Sequence, residues 1–230
     1  VTQSKLSAFA AIEKGMLDLG PTFLDAYIRT CLAEALAYGL EDAVVNGNGL
    51  NCPAGLTRDI HEGVSFSTTT GYPAKTAKTV TELTAESYGA LIAEMAETEN
   101  SVPRNFTQVH MAVSLKTYLT KIMPATKIMG VNGKYESFLD SIFPTKIVIC
   151  NSVAANKAIL YLAPEYHLFM GGAKNGVIDF SDEYKFLEDM RYFKIRQYGA
   201  GRCTDNTCSV VLDVENLRAA ALPVESIATV

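Results

Sequence analysis

Apolar residues recur at four-residue intervals from Leu24 through Ile28, Leu32 and Leu36 to Leu40, a period that predicts one long helix over Pro21 to Asn46. Tyr27, Cys31, Ala35 and Ala43 are expected to widen its apolar stripe. Pro21 suits a first helical turn, where a missing N–H costs nothing. Asn46-Gly47-Asn48-Gly49 supplies residues that tolerate positive φ where a helix must stop. At about 1.5 Å per residue the helix spans on the order of 39 Å, long enough to act as a structural backbone.

Before it, alternation over Lys5 to Ile12 predicts a strand, and Glu13 to Leu19 a short helix. Residues 50–80, rich in Thr, Ser, Gly and Pro, read as a loop holding one short strand near Val64 to Ser67. A second helix starts at Thr84 as N-cap, with Glu86 in its first turn and Leu91, Ile92 and Met95 buried, and ends at Val102-Pro103-Arg104-Asn105. Phe106 to Val113 reads as a buried strand, and Ser114 as the cap of a helix running to Ile122. Pro124 to Gly133 is expected to be irregular and Tyr135 to Ile142 helical. Strands follow at Lys146 to Cys150, Ala158 to Ala163, His167 to Met170 and Val177 to Phe180. Two longer ones, Glu188 to Tyr198 and Ser209 to Glu215, are predicted to form a hairpin across Gly199 to Asn206. The fold class is α+β.

Composition narrows the function. With 230 residues, 48% of them hydrophobic, the chain can bury a sizeable core. A net charge of -5, spread along the sequence, offers no basic face for phosphates, so specific nucleic-acid binding is not expected. No apolar run reaches the roughly 20 residues needed to cross a bilayer, and no membrane role is expected. The five cysteines, Cys31, Cys52, Cys150, Cys203 and Cys208, fit a reducing compartment. The sequence opens on Val1 without an initiator Met, which suggests that an upstream segment has been removed.

Little in the sequence points to catalytic chemistry. His61, His110 and His167 are scattered, none with a partner at metal-ligand spacing, and His110 reads as a core or interface imidazole. Cys203 and Cys208 could hold a metal or close a disulfide across the predicted hairpin, but a second ligand pair is missing. Gly47 and Gly49 follow a helix instead of a strand and lead into no phosphate-binding motif. Glu41-Asp42, Asp182-Glu183 and Glu188-Asp189 are adjacent acids, better suited to solvated surface or intersubunit ion pairs than to acid–base work. No catalytic, cofactor-binding or metal residue is assigned, no cofactor is expected, and the chain is not expected to be an enzyme.

The order of three blocks resembles the major capsid proteins of tailed bacteriophages and prophages, the Hong Kong 97-type fold, over nearly all of the chain. They are Ile12-Glu-Lys-Gly-Met-Leu-Asp-Leu19 with the helix from Phe23 to Asn46, the exit Asn46-Gly-Asn-Gly-Leu-Asn-Cys-Pro-Ala-Gly-Leu56, and Phe186-Leu-Glu-Asp-Met-Arg191 with Val210-Val-Leu-Asp-Val214. The resemblance implies a spine helix at 21–46, a peripheral domain over 1–80 and 181–230 that includes the end of the extended loop, and an axial domain over 81–180. It further implies a structural subunit of an icosahedral capsid, self-assembling into hexamers and pentamers around a DNA genome. Scaffold, portal and maturation protease would be its partners, with assembly in the bacterial cytoplasm and a final place in the virion. The N-terminal arm and the outgoing half of the extended loop are missing from the sequence, so a monomer or small oligomer is expected of this form. Two alternatives are an encapsulin-like nanocompartment shell and a small cytoplasmic α+β enzyme using His110 or Cys203 and Cys208.

Overall fold

The computed structural model describes residues 4–129, 135–171 and 177–220. In chain order the elements are β1 (Ser4–Glu13), α1 (Lys14–Leu19), α2 (Pro21–Asn46), β2 (Lys78–Thr79), α3 (Ala85–Ala93), β3 (Val109–Val113), α4 (Leu115–Thr117), α5 (Met123–Thr126), β4 (Lys127–Met129), β5 (Tyr135–Ser137), α6 (Phe138–Ile142), β6 (Thr145–Ile149), β7 (Lys157–Tyr161), β8 (Tyr166–Gly171), β9 (Val177–Ser181), β10 (Met190–Cys203) and β11 (Ser209–Asp213). The class is mixed α+β, as expected. Two compact units divide the chain, the first comprising 1–58, 65–73 and 167–203 and the second 59–64, 74–166 and 204–230.

The first unit is one long helix on one sheet. β10 is the central strand, with β1 antiparallel along it from Ser4 opposite Gly199 to Glu13 opposite Met190. β9 pairs with β10 from Tyr192–Ser181 to Arg196–Val177, and β8 also pairs with β10. Strand alternation turns Leu6, Ala8, Ala10 and Ile12 to the face where Phe193 and Ile195 lie, and Leu24, Ile28, Leu32 and Leu36 of α2 cover them. An i+4 row drifts by about 40° per step around a 3.6-residue helix. That drift leaves Leu40, at the end of the row, half-buried. Tyr27 and Ala35, expected in the stripe, face solvent instead: they lie outside the arc that the sheet can reach.

The second unit is a five-stranded sheet in the order β2-β11-β7-β3-β6, parallel at β2–β11 and β3–β6 and antiparallel between. Val109, Met111 and Val113 of β3, with Leu160 and Leu212, pack against Tyr88, Leu91, Ile92 and Met95. Tyr88 is fully buried, and its hydroxyl lies 2.6 Å from Thr145 Oγ1, which in turn donates to Phe143 O. The pair satisfies its own polar atoms inside the core. Thr84 caps α3 in a reciprocal arrangement with Ser87, as the sequence foretold for the cap.

Several expected elements are corrected. The hairpin across Gly199 to Asn206 does not form: β10 runs on to Cys203 and belongs to one sheet, while β11 pairs with β7 and β2 in the other. Gly199 does not turn; extended and opposite Ser4, it lets the β8 backbone approach, since a Cβ there would lie 3.0 Å from Phe169 O. No strand forms at 64–67, where an isolated bridge joins Ser67 and Gly71. The helix capped by Ser114 passes through a π-helical turn at Tyr118–Ile122 and on to Thr126, with Pro124 tolerated in the first turn of α5. β4 and β5 then pair from Lys127–Ser137 to Met129–Tyr135, where a loop and a helix were expected. Residues 130–134 of that loop lie outside the described residues.

An unforeseen side chain organises the second unit. Arg104, in the segment that breaks α3 from β3, is 8% exposed and pairs with Asp205 Oδ2 at 2.5 Å and Glu165 Oε1 at 3.6 Å. It also donates to Met95 O and Thr207 Oγ1. Removing one member of a buried ionic set strands the others, so Arg104→Ala is expected to cost about 3–5 kcal/mol. Arg104→Lys should recover little, for want of the planar fork. Urea unfolding of the three proteins checks this.

Candidate functional site

The residues singled out for chemistry do not converge. His61 Nδ1 meets Asp59 Oδ1 at 2.7 Å in an exposed turn. Burial of the Asp59 carboxyl works to raise it, yet the hydrogen bonds from His61 outweigh that and hold it below the usual range. His167 is exposed on β8. His110 sits on β3 opposite Lys146 and Tyr161, its ring centroid 5.4 Å from that of Tyr161. Its Nδ1 is buried and bonds to nothing among the described residues. Burial, then the Lys146 charge, push this imidazole below its ordinary value.

Cys203 ends β10 and Cys208 lies in the turn before β11; both are buried and neither is in a disulfide. Among the described residues no three His, Cys, Asp or Glu side chains could hold a metal ion together. No helix among them is long and apolar enough to cross a membrane. Of the adjacent acids, Asp182, Glu188 and Asp189 are paired within the chain. Asp182 makes a two-pronged pair with Arg191 at 2.6 and 2.8 Å, Glu188 meets Lys185 at 2.8 Å, and Asp189 lies 3.6 Å from Lys14. Hydrogen bonds from Arg191 hold the Asp182 carboxyl below the usual carboxylate range.

What the sequence does build is a frame and its surfaces. A helix ends with carbonyls that lack intrahelical partners, and the exit motif captures those of α2. Gly47 N–H closes on Ala43 O; Leu56 N–H reaches Val44 O at 2.9 Å and Thr57 N–H reaches Val45 O at 3.1 Å. Thr57 Oγ1 adds a bond to Val45 O, and the Arg58 guanidinium donates twice to Asn46 O, at 3.1 and 2.7 Å. For the chain to double back this closely the return must carry no side chain. A Cβ on Gly55 would stand 2.5 Å from Val45 O, and one on Gly47 2.2 Å from Pro53 O. Asn48 pins the loop from the other side: its Oδ1 accepts from Leu50 N–H and Cys52 Sγ, and its Nδ2 donates to Thr70 O.

Two apolar surfaces lie at opposite ends of β10. Beside the exit, a groove of about 300 Å³ is lined by Cys52, Phe66, Tyr72, Phe169 and Arg202. Phe66 and Tyr72 meet edge to face at 4.9 Å, and Gly49, at φ 78°, leaves the Tyr72 ring its room. At the other end, residues 181–189 form a projecting tip. Phe186 is 70% and Leu187 97% exposed. They sit on a 3₁₀ turn bracketed by Lys185 and Asp189, both left-handed at φ 59° and 51°. Outside glycine such a backbone carries a cost of about 1–2 kcal/mol per residue, here held in place by the ion pairs of Glu188 and Asp189 and by Tyr184 packing edge-on to Tyr192 at 5.0 Å. Sequence reading found the exit through its Asn-Gly pattern but not the tip, whose Phe-Leu pair looks like the start of a strand.

Two outcomes follow from this geometry. Gly55→Ala forces backbone apart at the α2 terminus and is expected to lower stability by about 3 kcal/mol, read as a fall in the urea midpoint. His110 is harder to protonate folded than unfolded, so the unfolded chain binds more protons between the two values and stability falls as pH drops below about 6.5. Urea midpoints at neutral and mildly acid pH should diverge in the wild type and converge in His110→Gln.

Comparison with known proteins gives a family. The model of the phage capsid family matches residues 1–214. No curated protein sequence matches the chain. Among solved structures, the capsid of an empty GTA particle is similar over 95% of this chain and 74% of its own, with 12% identity and a TM-score of 0.60. The capsid of Myoviridae phage XM1 is similar over 92% and 73%, with 11% identity and a TM-score of 0.56. The SrpI encapsulin of Synechococcus elongatus PCC 7942 is similar over 96% and 78%, with 10% identity and a TM-score of 0.58. At such identities the likeness is one of fold.

Proposed function

The chain belongs to the phage capsid family and is a capsid shell subunit, and from that premise we propose that its copies close into pentamers and hexamers around a DNA genome. The observation that carries this reading is the apolar surface left uncovered on the first unit. Phe9, Phe169, Phe180, Phe186 and Leu187 are all well exposed, and contact with further copies would take this apolar surface out of water. A shell subunit covers such surface with copies of itself, and closed symmetry sets how many copies meet. In this reading the first unit is the peripheral domain with α2 as its spine and the second the axial domain, with bounds that differ from the expected 1–80 with 181–230 and 81–180: residues 59–64, 74–80 and 204–220 go with the axial domain, and 167–171 and 177–180 with the peripheral one. Scaffold, portal and maturation protease are the partners that assembly in the bacterial cytoplasm would call on before the subunit takes its place in the virion.

The tip and the exit groove suit the task because each is braced from within the chain, one by ion pairs and the other by the helix terminus. Contacts repeated many times over a shell depend on such preorganisation, since ordering a loop at each interface would subtract from every contact. The fold alone also fits a compartment that encloses protein cargo, and particle content separates the two. Electron microscopy of the protein expressed from its complete gene is expected to show closed particles, with nucleic acid inside when they are isolated from a lysogen. Particles filled with a co-purifying enzyme would favour the compartment. A monodisperse monomer at high protein concentration would contradict both.

A further inference from the structure

We propose that the Phe186–Leu187 tip of one copy inserts into the Cys52–Phe66–Tyr72–Phe169 groove of the next, a head-to-tail contact that rests on the shell reading and names its partner surfaces. The knob and the groove complement each other in chemistry. One presents two large apolar side chains standing clear of the fold, 70% and 97% exposed. The other offers a cavity of about 300 Å³ walled by aromatic rings, one of which, Phe169, is itself 67% exposed. Charge agrees as well. Arg202 at the groove makes no ion pair among the described residues, its Nε donating only to Cys203 O. Glu183 on the tip likewise enters no ion pair there and only takes part in a turn through its backbone N–H.

Position decides that the two must belong to different copies. The tip precedes Met190 and the groove surrounds Gly201, the two ends of one continuous strand. Eleven residues at about 3.3 Å each put them roughly 36 Å apart. A chain therefore cannot fill its own groove. A surface on one end that fits a different surface on the other gives a heterologous contact, which closes into rings when the rotation allows. The left-handed Lys185 and Asp189 supply a reason for the strain at the tip: they hold Phe186 and Leu187 outward, Leu187 almost wholly in solvent and Phe186 with only the Lys14 ammonium over its ring, 5.4 Å from the centroid.

The groove carries a natural reporter in Cys52. In a Leu187→Cys variant, mild oxidation of assembled particles should join residue 187 of each copy to Cys52 of its neighbour. Because every chain then carries one donor and one acceptor, denaturing gels should show a ladder through trimers and beyond, abolished by Cys52→Ser in the same background. Separately, Arg202→Glu should lower the crosslinked fraction by roughly tenfold, as like charges do in a contact, and adding Glu183→Arg should restore it. A dimer with no higher species means that two tips meet each other and overturns the proposal. Particles that assemble without any 187–52 crosslink overturn it too, while leaving the shell reading intact. A chain that stays monomeric throughout overturns both.

Discussion

The structure of the first unit depends on how the C-terminus of α2 is satisfied. A long helix has a terminal set of carbonyls that must find donors, and a structural spine cannot afford to fray there. Here the chain itself returns as the cap: the amides of Leu56 and Thr57, the Thr57 hydroxyl and the Arg58 guanidinium take up Val44 O, Val45 O and Asn46 O. The return fits because Gly47 and Gly55 carry no side chain where backbone meets backbone. Once the return is fixed, Ala54 N–H bonds to Gly201 O on β10 and Tyr72 N–H to Asn48 O. The helix end, the last part of the central strand and the aromatic groove are thereby tied into one piece.

From that anchor the rest of the unit follows. α2 presents Leu24, Ile28, Leu32 and Leu36 to a sheet whose inward residues come from β1, β9 and β10, so helix and strands hold one another along most of the helix length. The tip beyond Met190 is then a projection from a stiff support, and the groove a depression in the same support. For a shell subunit, this is the relevant consequence of the packing: surfaces that must recur in identical geometry are placed on elements whose own positions are settled. The second unit reaches the same end differently, through Arg104 and its two carboxylates tying together segments remote in sequence.

Much of this was legible in the sequence where a local rule and the tertiary structure agree. The bounds of α2 follow from Pro21 and Asn46-Gly47, and the cap of α3 from Thr84. β1 shows through its alternation, and β3, β7 and β11, buried along nearly their whole length, show as short apolar runs. Where a residue type serves two purposes, the local pattern misleads. Gly199 and Gly201 suggest a turn, yet both lie within one extended strand, where Gly199 permits the close approach of Phe169 O, and the supposed hairpin is two strands in two sheets. Pro124 suggests a break, yet it sits in the first turn of α5, where its missing N–H matters least. The tip gave no signal because its exposure is decided by two left-handed residues, Lys185 and Asp189, of types that do not advertise that conformation. Arg104 was invisible for another reason: its partners, Glu165 and Asp205, are brought to it only by the fold.

Native-state hydrogen exchange at the return from α2 tests the anchoring role most directly. If the carbonyl clamp holds the unit together, the Leu56 and Thr57 amides should exchange only when the whole first unit opens, with the same free energy as the amides of Leu32 and Ile195 and the same dependence on denaturant. Exchange of Leu56 and Thr57 through a separate local opening, with α2 and β10 still protected, would contradict it and make the clamp a consequence of the fold instead of its support.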